Sequence, residues 1–317
     1  MSKKIVVILG PTATGKTDLA LNLAKKLNGE LISCDSRQVY KGLDLGSGKM
    51  PNQPLSVKKR DGFWEIEGVK VWMYDCVSLN KRFSVRDYID LASKKAKELS
   101  QQDRLPIVVG GSGLYLKGLL EGISNLQVPI DKQLRHQLED LTLGQLQQKL
   151  IKQSPQSWDN LNSSDRSNKR RLLRSIEVAT MYPYRRKDNQ FSGLSKEFKI
   201  LKVGLFAPRP ILNKRIDYRI FSRLQQGMIK EVENLIQSGV TFEKLHELGL
   251  EYRILAKYLK ERLPESWLIE TLKVRIHQYA KRQMTWFKKV KDVNWFDITK
   301  LNYSLKVEKL IQDWYNA

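Results

Sequence analysis

Eight consecutive residues carry the sharpest chemical signal in this chain. Gly10, Pro11, Thr12, Ala13, Thr14, Gly15, Lys16 and Thr17 fit the P-loop pattern, two glycines flanking four residues with a Lys-Thr pair directly after the second. Glycines let the backbone curl until successive N–H groups and the start of a helix face one anion. Lys16 adds a point charge, and the Thr17 hydroxyl can ligate Mg²⁺ beside the phosphates. A diphosphate or triphosphate is the expected occupant. A second group, Asp35-Ser36-Arg37-Gln38, stands directly after an apolar run. A carboxylate there either faces the ligand crevice at the carboxyl end of a strand or caps the next turn, and position alone leaves both open. Gly110-Gly111-Ser112-Gly113 follows another such run and brings a hydroxyl to the same edge. Asp75, at the end of a third, can be read as the carboxylate that holds a metal-bound water in other P-loop proteins.

These groups need a scaffold that gathers strand ends. Short apolar runs at 4–9, 30–34, 69–74, 107–109, 200–206 and 293–296 are separated by helical patterns such as 16–27. That order predicts an α/β fold, a P-loop NTPase-like, mostly parallel sheet flanked by helices. Between 109 and 200 no strand-like run occurs, and 131–141, 144–153 and 164–181 all read as helices. The expected organisation is therefore a core begun over 1–121, an inserted all-helical subdomain over 122–197, and the rest of the core with C-terminal helices over 198–317. In that last part, helical patterns at 211–238, 252–261 and 266–290 dominate.

Charge narrows the class of partner. The chain has 317 residues, with 56 Lys and Arg against 34 Asp and Glu, a net charge of +22 that favours a polyanion. A 41% hydrophobic content excludes a disordered chain, and no apolar run reaches the roughly 18 residues that span a bilayer. Cys34 and Cys76 are too few for a disulfide framework or a four-ligand zinc cluster, so a reducing cytoplasm is expected. The positive charge is gathered on helical faces. Arg170 and Arg171 lie four and three residues before Arg174, no acid occurs from 166 to 176, and Leu172, Leu173 and Ile176 take the other side. From 273 to 291 there are seven Lys or Arg and no acid, with Arg275 and Arg282 on one polar stripe.

The strings GPTATGKT, DSRQVYKGLDLGSGK, GGSGLYLKGLLEG, RRLLRSIEV, RIDYRIFSRLQQGMIKEV and QYAKRQMTWF, in this order, resemble the tRNA dimethylallyltransferases of bacterial type, also called tRNA isopentenyltransferases. The likeness extends over nearly the whole chain. It implies transfer of a dimethylallyl group from dimethylallyl diphosphate to N6 of the adenosine immediately 3′ of the anticodon, giving N6-dimethylallyladenosine and diphosphate. It implies Mg²⁺ as cofactor, the anticodon stem-loop of tRNA as partner, and a P-loop that holds the allylic diphosphate instead of ATP. Asp35 then matches the general base. Ser112 stands where the family usually has threonine, and Arg215 and Arg219 in RIDYR lie four apart on one helix face, where either one could grip the diphosphate opposite the P-loop. Implied tRNA contacts are Asp35 to Gln38, Ser112, Arg135, Arg170, Arg171, Leu172, Leu173, Arg174, Arg275 and Arg282. A cytoplasmic monomer without an obligatory protein partner is expected. Among departures, Val71 and Trp72 replace paired histidines, Asn168 replaces an aspartate, and Tyr182-Pro183 replaces a Thr/Ser-Gly turn. Two other readings compete: a small-molecule P-loop kinase, whose adenine-binding and lid features are not found, and a non-catalytic RNA-binding protein.

Overall fold

In the computed structural model, which describes residues 3–123, 126, 128–181 and 193–317, the β-branched run Lys4–Leu9 forms β1 and is almost wholly buried. Burial on both faces is why it reads as one continuous apolar stretch. The chain continues through α1 (Lys16–Lys26), β2 (Gly29–Cys34), β3 (Val57–Arg60), β4 (Phe63–Ile66), β5 (Val69–Trp72), α2 (Val85–Gln101), β6 (Leu105–Gly110) and α3 (Gly113–Glu121). Five helices follow: α4 (Lys132–Glu139), α5 (Leu143–Gln153), α6 (Pro155–Asp159), α7 (Ser163–Arg166) and α8 (Lys169–Met181). The sheet resumes with β7 (Lys199–Phe206), then α9 (Arg209–Gln225), α10 (Met228–Gln237), α11 (Phe242–Leu248), α12 (Leu250–Glu261), α13 (Glu265–Phe287), β8 (Val293–Asp297) and α14 (Tyr303–Asn316).

The eight strands form one sheet in the order β3-β4-β5-β2-β6-β1-β7-β8. From β5 to β8 every pairing is parallel, as the expected α/β architecture requires. Register decides where the site lies. Leu9 of β1 and Cys34 of β2 both pair with Gly110 of β6, so three consecutive strands end level. The turns that leave them carry the P-loop, Asp35 and Ser112. Apolar side chains from β1, β2, β6 and β7 pack with α1 and α14 in one core, and a second core joins α9 to α13 with the segment after β2.

Three local features differ from the sequence expectation. Strands β3 and β4 form an antiparallel hairpin that extends the sheet beyond β5. Lys58, Lys59 and Arg60 on its edge strand are exposed, so no apolar alternation announces it, although the Asp61-Gly62 turn between them is a hairpin signal. The helical pattern over 211–238 breaks at Gly227, whose φ of 96° opens α10 from a left-handed cap. The pattern over 164–181 breaks where the Asn168 side chain accepts the Arg171 N–H at 3.2 Å and starts α8 afresh.

The chain divides into two compact units, Met1–Glu121 with Leu194–Ala317, and Gly122–Gly193. The short 3₁₀ turn Leu194–Lys196 belongs to the first, so the sheet-bearing unit resumes a little before position 198. The second is built of α4 to α8 around Leu138, Leu146, Leu150, Leu172 and Ile176. Tyr182-Pro183 lies outside the described residues. No helix among those described is long and apolar enough to cross a membrane.

Candidate functional site

The loop between β1 and α1 has the shape its sequence requires. At Gly10, φ is 144° and a Cβ would strike the Leu205 carbonyl, so only glycine lets the loop pass β7. Buried Thr14 donates to Pro11 O at 2.9 Å, and Lys16 Nζ donates to the same carbonyl at 2.7 Å. Burial first, then the charge of Arg219, pulls the Lys16 ammonium down to about 7. An anion placed there would oppose that shift.

Two cavities meet at the P-loop, one of about 630 Å³ and one of about 490 Å³. Lys16, Thr17, Gly48 and Arg219 line both and form the partition between them. The larger is also lined by Thr12 and by Asp35, Ser36, Arg37 and Gln38. The smaller takes in Ala13, Gly15, Lys214, Arg215 and Tyr218.

Asp35 satisfies both readings left open by its position. Its Oδ1 accepts the Arg37 N–H at 2.8 Å, which shapes the turn, while the carboxyl lines the larger cavity. Burial pushes its pKa up, opposed by the hydrogen bond and charge of Arg37, so the group is more basic than an ordinary aspartate. Ser112 is placed differently from the expectation. Gly110 and Gly111 line the cavity and Ser112 does not; its Oγ accepts the Ser36 N–H at 3.2 Å and so braces the turn that carries Asp35. Gln38 accepts from Ser33 Oγ at 2.5 Å and donates to Ser47 O at 3.3 Å, tying the Asp35 turn to the next loop.

Gln283 lies on the buried face of α13 and is a bridge: Oε1 accepts the Thr12 N–H and Nε2 donates to Gly111 O, both at 2.9 Å. The nearest signal was a polar residue on an otherwise apolar face. Arg215 Nε donates to Ala13 O at 2.8 Å, and Arg219 Nη1 donates to Thr12 Oγ1 at 2.9 Å. Both arginines therefore reach the P-loop, Arg215 from the exposed side and Arg219 from the partition. Asp75 has both oxygens engaged, Oδ1 by the buried Lys49 and Oδ2 by Trp64 Nε1 at 2.6 Å. That occupation argues against the reading of Asp75 as a holder of metal-bound water. No group of three or more His, Cys, Asp or Glu able to hold a metal occurs among the described residues.

Arg275 and Arg282 of α13 are exposed and line the larger cavity. In the helical unit the expected single basic face divides. Arg170 and Arg171 are exposed, Arg171 in an ion pair with Asp165. Arg174 turns onto the buried carboxylate of Glu177, which Arg135 also grips at 3.0 and 2.9 Å. Burial works to raise the Glu177 pKa, but hydrogen bonds from Arg135 and Arg174 outweigh it and hold the carboxyl below the usual range. Leu172 has no exposed surface and Leu173 is half-buried against the same apolar cluster. Leu172 therefore packs the core and has nothing to offer an RNA; the run of like charge read at 166–176 ended one residue short of its counter-ion.

A P-loop on a mostly parallel sheet, beside a cavity that holds a half-buried carboxylate, defines the class: a P-loop α/β enzyme. Comparison with known proteins narrows it. Residues 38–290 match the model of the IPP transferase family, and residues 3–66 match that of isopentenyl transferase. A tRNA dimethylallyltransferase from Azobacteroides pseudotrichonymphae is 35% identical, covering 95% of each chain. One from Syntrophus aciditrophicus is 39% identical over 92% of this chain and 91% of its own. The solved tRNA isopentenylpyrophosphate transferase of Bacillus halodurans superposes with a TM-score of 0.70 at 30% identity, over 98% of this chain and 96% of its own. The chain belongs to the IPP transferase family.

Proposed function

We infer that this protein transfers a dimethylallyl group from dimethylallyl diphosphate to N6 of the adenosine next to the anticodon of a tRNA. One observation supports the reading above the others. The cavity that joins Lys16 and Thr17 to Asp35 is lined by eight Lys or Arg against two carboxylates, a field suited to a diphosphate at its base and an RNA at its mouth.

The chemistry follows from those groups. Departure of diphosphate from a primary allylic carbon builds negative charge on the leaving oxygen. Backbone N–H groups of the P-loop, Lys16, Arg215 and Arg219 are aimed where that charge grows, so they stabilise the transition state more than the ground state. The Thr17 hydroxyl is the ligand this chain offers to Mg²⁺, and a single protein ligand suits an ion that keeps its waters and binds phosphate oxygens. Mg²⁺ would supply further neutralisation of the leaving diphosphate. The adenine amino group is a poor nucleophile because its lone pair is delocalised into the ring. Asp35, made more basic by burial, takes its proton as the C–N bond forms. A base stacked in the anticodon loop cannot reach a carboxylate at that depth, so the nucleotide is extruded into the larger cavity. Arg37, Arg275 and Arg282 line that cavity and are the proposed contacts to the RNA backbone. This substrate pair places the enzyme in the cytoplasm.

Incubation of the protein with unmodified tRNA and either labelled dimethylallyl diphosphate or labelled ATP tests the reading. Label enters RNA with the allylic donor, and mass analysis of the nucleosides finds it on N6 of adenosine. Phosphate transfer from ATP to a small acceptor, without prenyl transfer, would establish a kinase in its place.

A further inference from the structure

Three arginines, Arg215, Arg219 and Arg223, stand four residues apart along one face of α9. The first two reach the P-loop, as described. Arg223 is one turn further along, 6% exposed, and no sequence motif singled it out. Its Nη1 donates to Gly46 O at 3.3 Å, while its Nη2 is buried without a hydrogen-bond partner among the described residues. The Nε of Arg219 is likewise buried and unpartnered. Both guanidinium groups press against Gly48, where an added Cβ would collide with the Nη2 of each, so the two cations converge on one point. Arg219 lines both cavities, whereas Arg223 lines only the one that contains Asp35.

No carboxylate closes on this pair by a hydrogen bond, and its nearest counter-ion is held loosely. Glu251 faces Arg223 at 3.8 Å, beyond hydrogen-bond distance. Arg135, by contrast, closes on Glu177 at 2.9 Å. Burial lowers the pKa of both converging guanidinium groups, and in Arg219 the charge of Arg223 adds to the shift. A water can satisfy a lone N–H, but it leaves two like charges facing each other in a low-dielectric cleft. A tetrahedral oxyanion satisfies both, because two planar forks offer parallel N–H donors to its oxygens.

We propose that Arg223 joins Arg219 in a paired guanidinium site for one phosphoryl group on the Asp35 side of the partition. The proposal rests on the reading of the P-loop as a diphosphate site. The phosphoryl group has two possible sources, the donor's diphosphate or the RNA backbone beside the extruded nucleotide. The chemistry of capture is the same for both.

Inorganic pyrophosphate and an anticodon stem-loop RNA are titrated separately into the full-length wild type, Arg223→Met and, as reference, Lys16→Met. Arg223→Met weakens one of the two ligands by about tenfold or more, as loss of a charged hydrogen-bond partner does, and the ligand affected identifies the source. Both affinities within about twofold of wild type, against the same threshold, overturn the proposal. Failure of Lys16→Met to weaken pyrophosphate would instead overturn the P-loop reading, independently of Arg223. Two further variants keep the test decisive if Arg223→Met is unstable. Arg223→Lys keeps a charge but loses the planar fork, and binds the affected ligand more weakly than wild type. Glu251→Gln removes the distant carboxylate that competes for Arg223, and binds it more tightly. A weaker ligand in Glu251→Gln would show that Arg223 acts only as half of a structural pair.

Discussion

Two arginine-rich regions that look alike in sequence are built for opposite purposes. In the helical unit, Arg135 and Arg174 close on Glu177, whose carboxylate is wholly buried. In the sheet-bearing unit, Arg219 and Arg223 converge on Gly48 with no carboxylate in hydrogen-bond range of Arg223. Positive charge matched within the fold holds helices together. Positive charge matched only loosely, and buried at some cost, is charge that a ligand can recruit. The distinction is invisible to a count of lysines and arginines, and it depends on where each region keeps its carboxylates.

Exchanging the two carboxylates is the strongest way to break this contrast. Asp35→Ala should lower single-turnover prenyl transfer by about 10²–10⁴-fold, the usual contribution of a positioned general base, with stem-loop affinity little changed. Near-normal turnover would remove Asp35 from the chemistry. Glu177→Ala should behave in the reverse sense, because it strands two cations against a buried site. The expected cost is about 3 kcal/mol, the low end for a broken buried pair, since both arginine heads remain partly in water. Hydrogen exchange in α8 reads it as amide opening faster by about two orders of magnitude. Unchanged protection would mean that the pair is incidental. Because the Glu177 carboxyl is held below the ordinary range, its contribution is complete above a pH of about 4.3 and is lost as pH falls through the folded value.

A smaller effect follows from the protonation of the two sites. Lys16 is held at about 7, by burial and then by Arg219, so at pH 8 the empty P-loop is largely uncharged at this position. Binding a diphosphate must restore the ammonium. Calorimetry at pH 8, in buffers of different ionisation enthalpy, should therefore report uptake of up to about one proton per pyrophosphate beyond that of Lys16→Met. Equal uptake by wild type and variant would show that the lysine is charged before the ligand arrives. In the same experiment the Glu177 pair should contribute nothing, since it is matched at every pH above the carboxylate range.

How much of this was legible in the sequence depends on whether the interaction is local. The P-loop, the turn at Asp35 and the Gly110-Gly111 turn are each a strand end and the few residues after it, and the parallel register that levels those ends follows from the alternation of strands and helices. Gln283 joins Thr12 to Gly111 across most of the chain, and nothing near it in sequence records that task. The hairpin of β3 and β4 escaped because its edge strand is basic and exposed, so only its turn was informative. Ser112 was read as a hydroxyl at the ligand edge, whereas its observed bond is to the backbone of Ser36. In α8 the spacing of Arg170, Arg171 and Arg174 was visible, but the folding of Arg174 onto Glu177 depended on burial of the next turn.

The smallest predicted effect is also the one that divides α8 most finely. Exposed Arg170 is free of any ion pair to a carboxylate within 4 Å among the described residues, so a phosphate can recruit it without first breaking one. Arg135 is already committed to Glu177. If RNA binds along this helix, Arg170→Gln should reduce the slope of log affinity against log salt by about 0.7–0.9, the release of one counter-ion. Arg135→Gln should loosen the unit, yet leave that slope unchanged. Stem-loop titrations between about 50 and 200 mM salt span enough of the screening range to separate the two. A reduced slope in Arg135→Gln alone would invert the assignment: the arginine held by a carboxylate would then be the one that lets go of it to bind RNA.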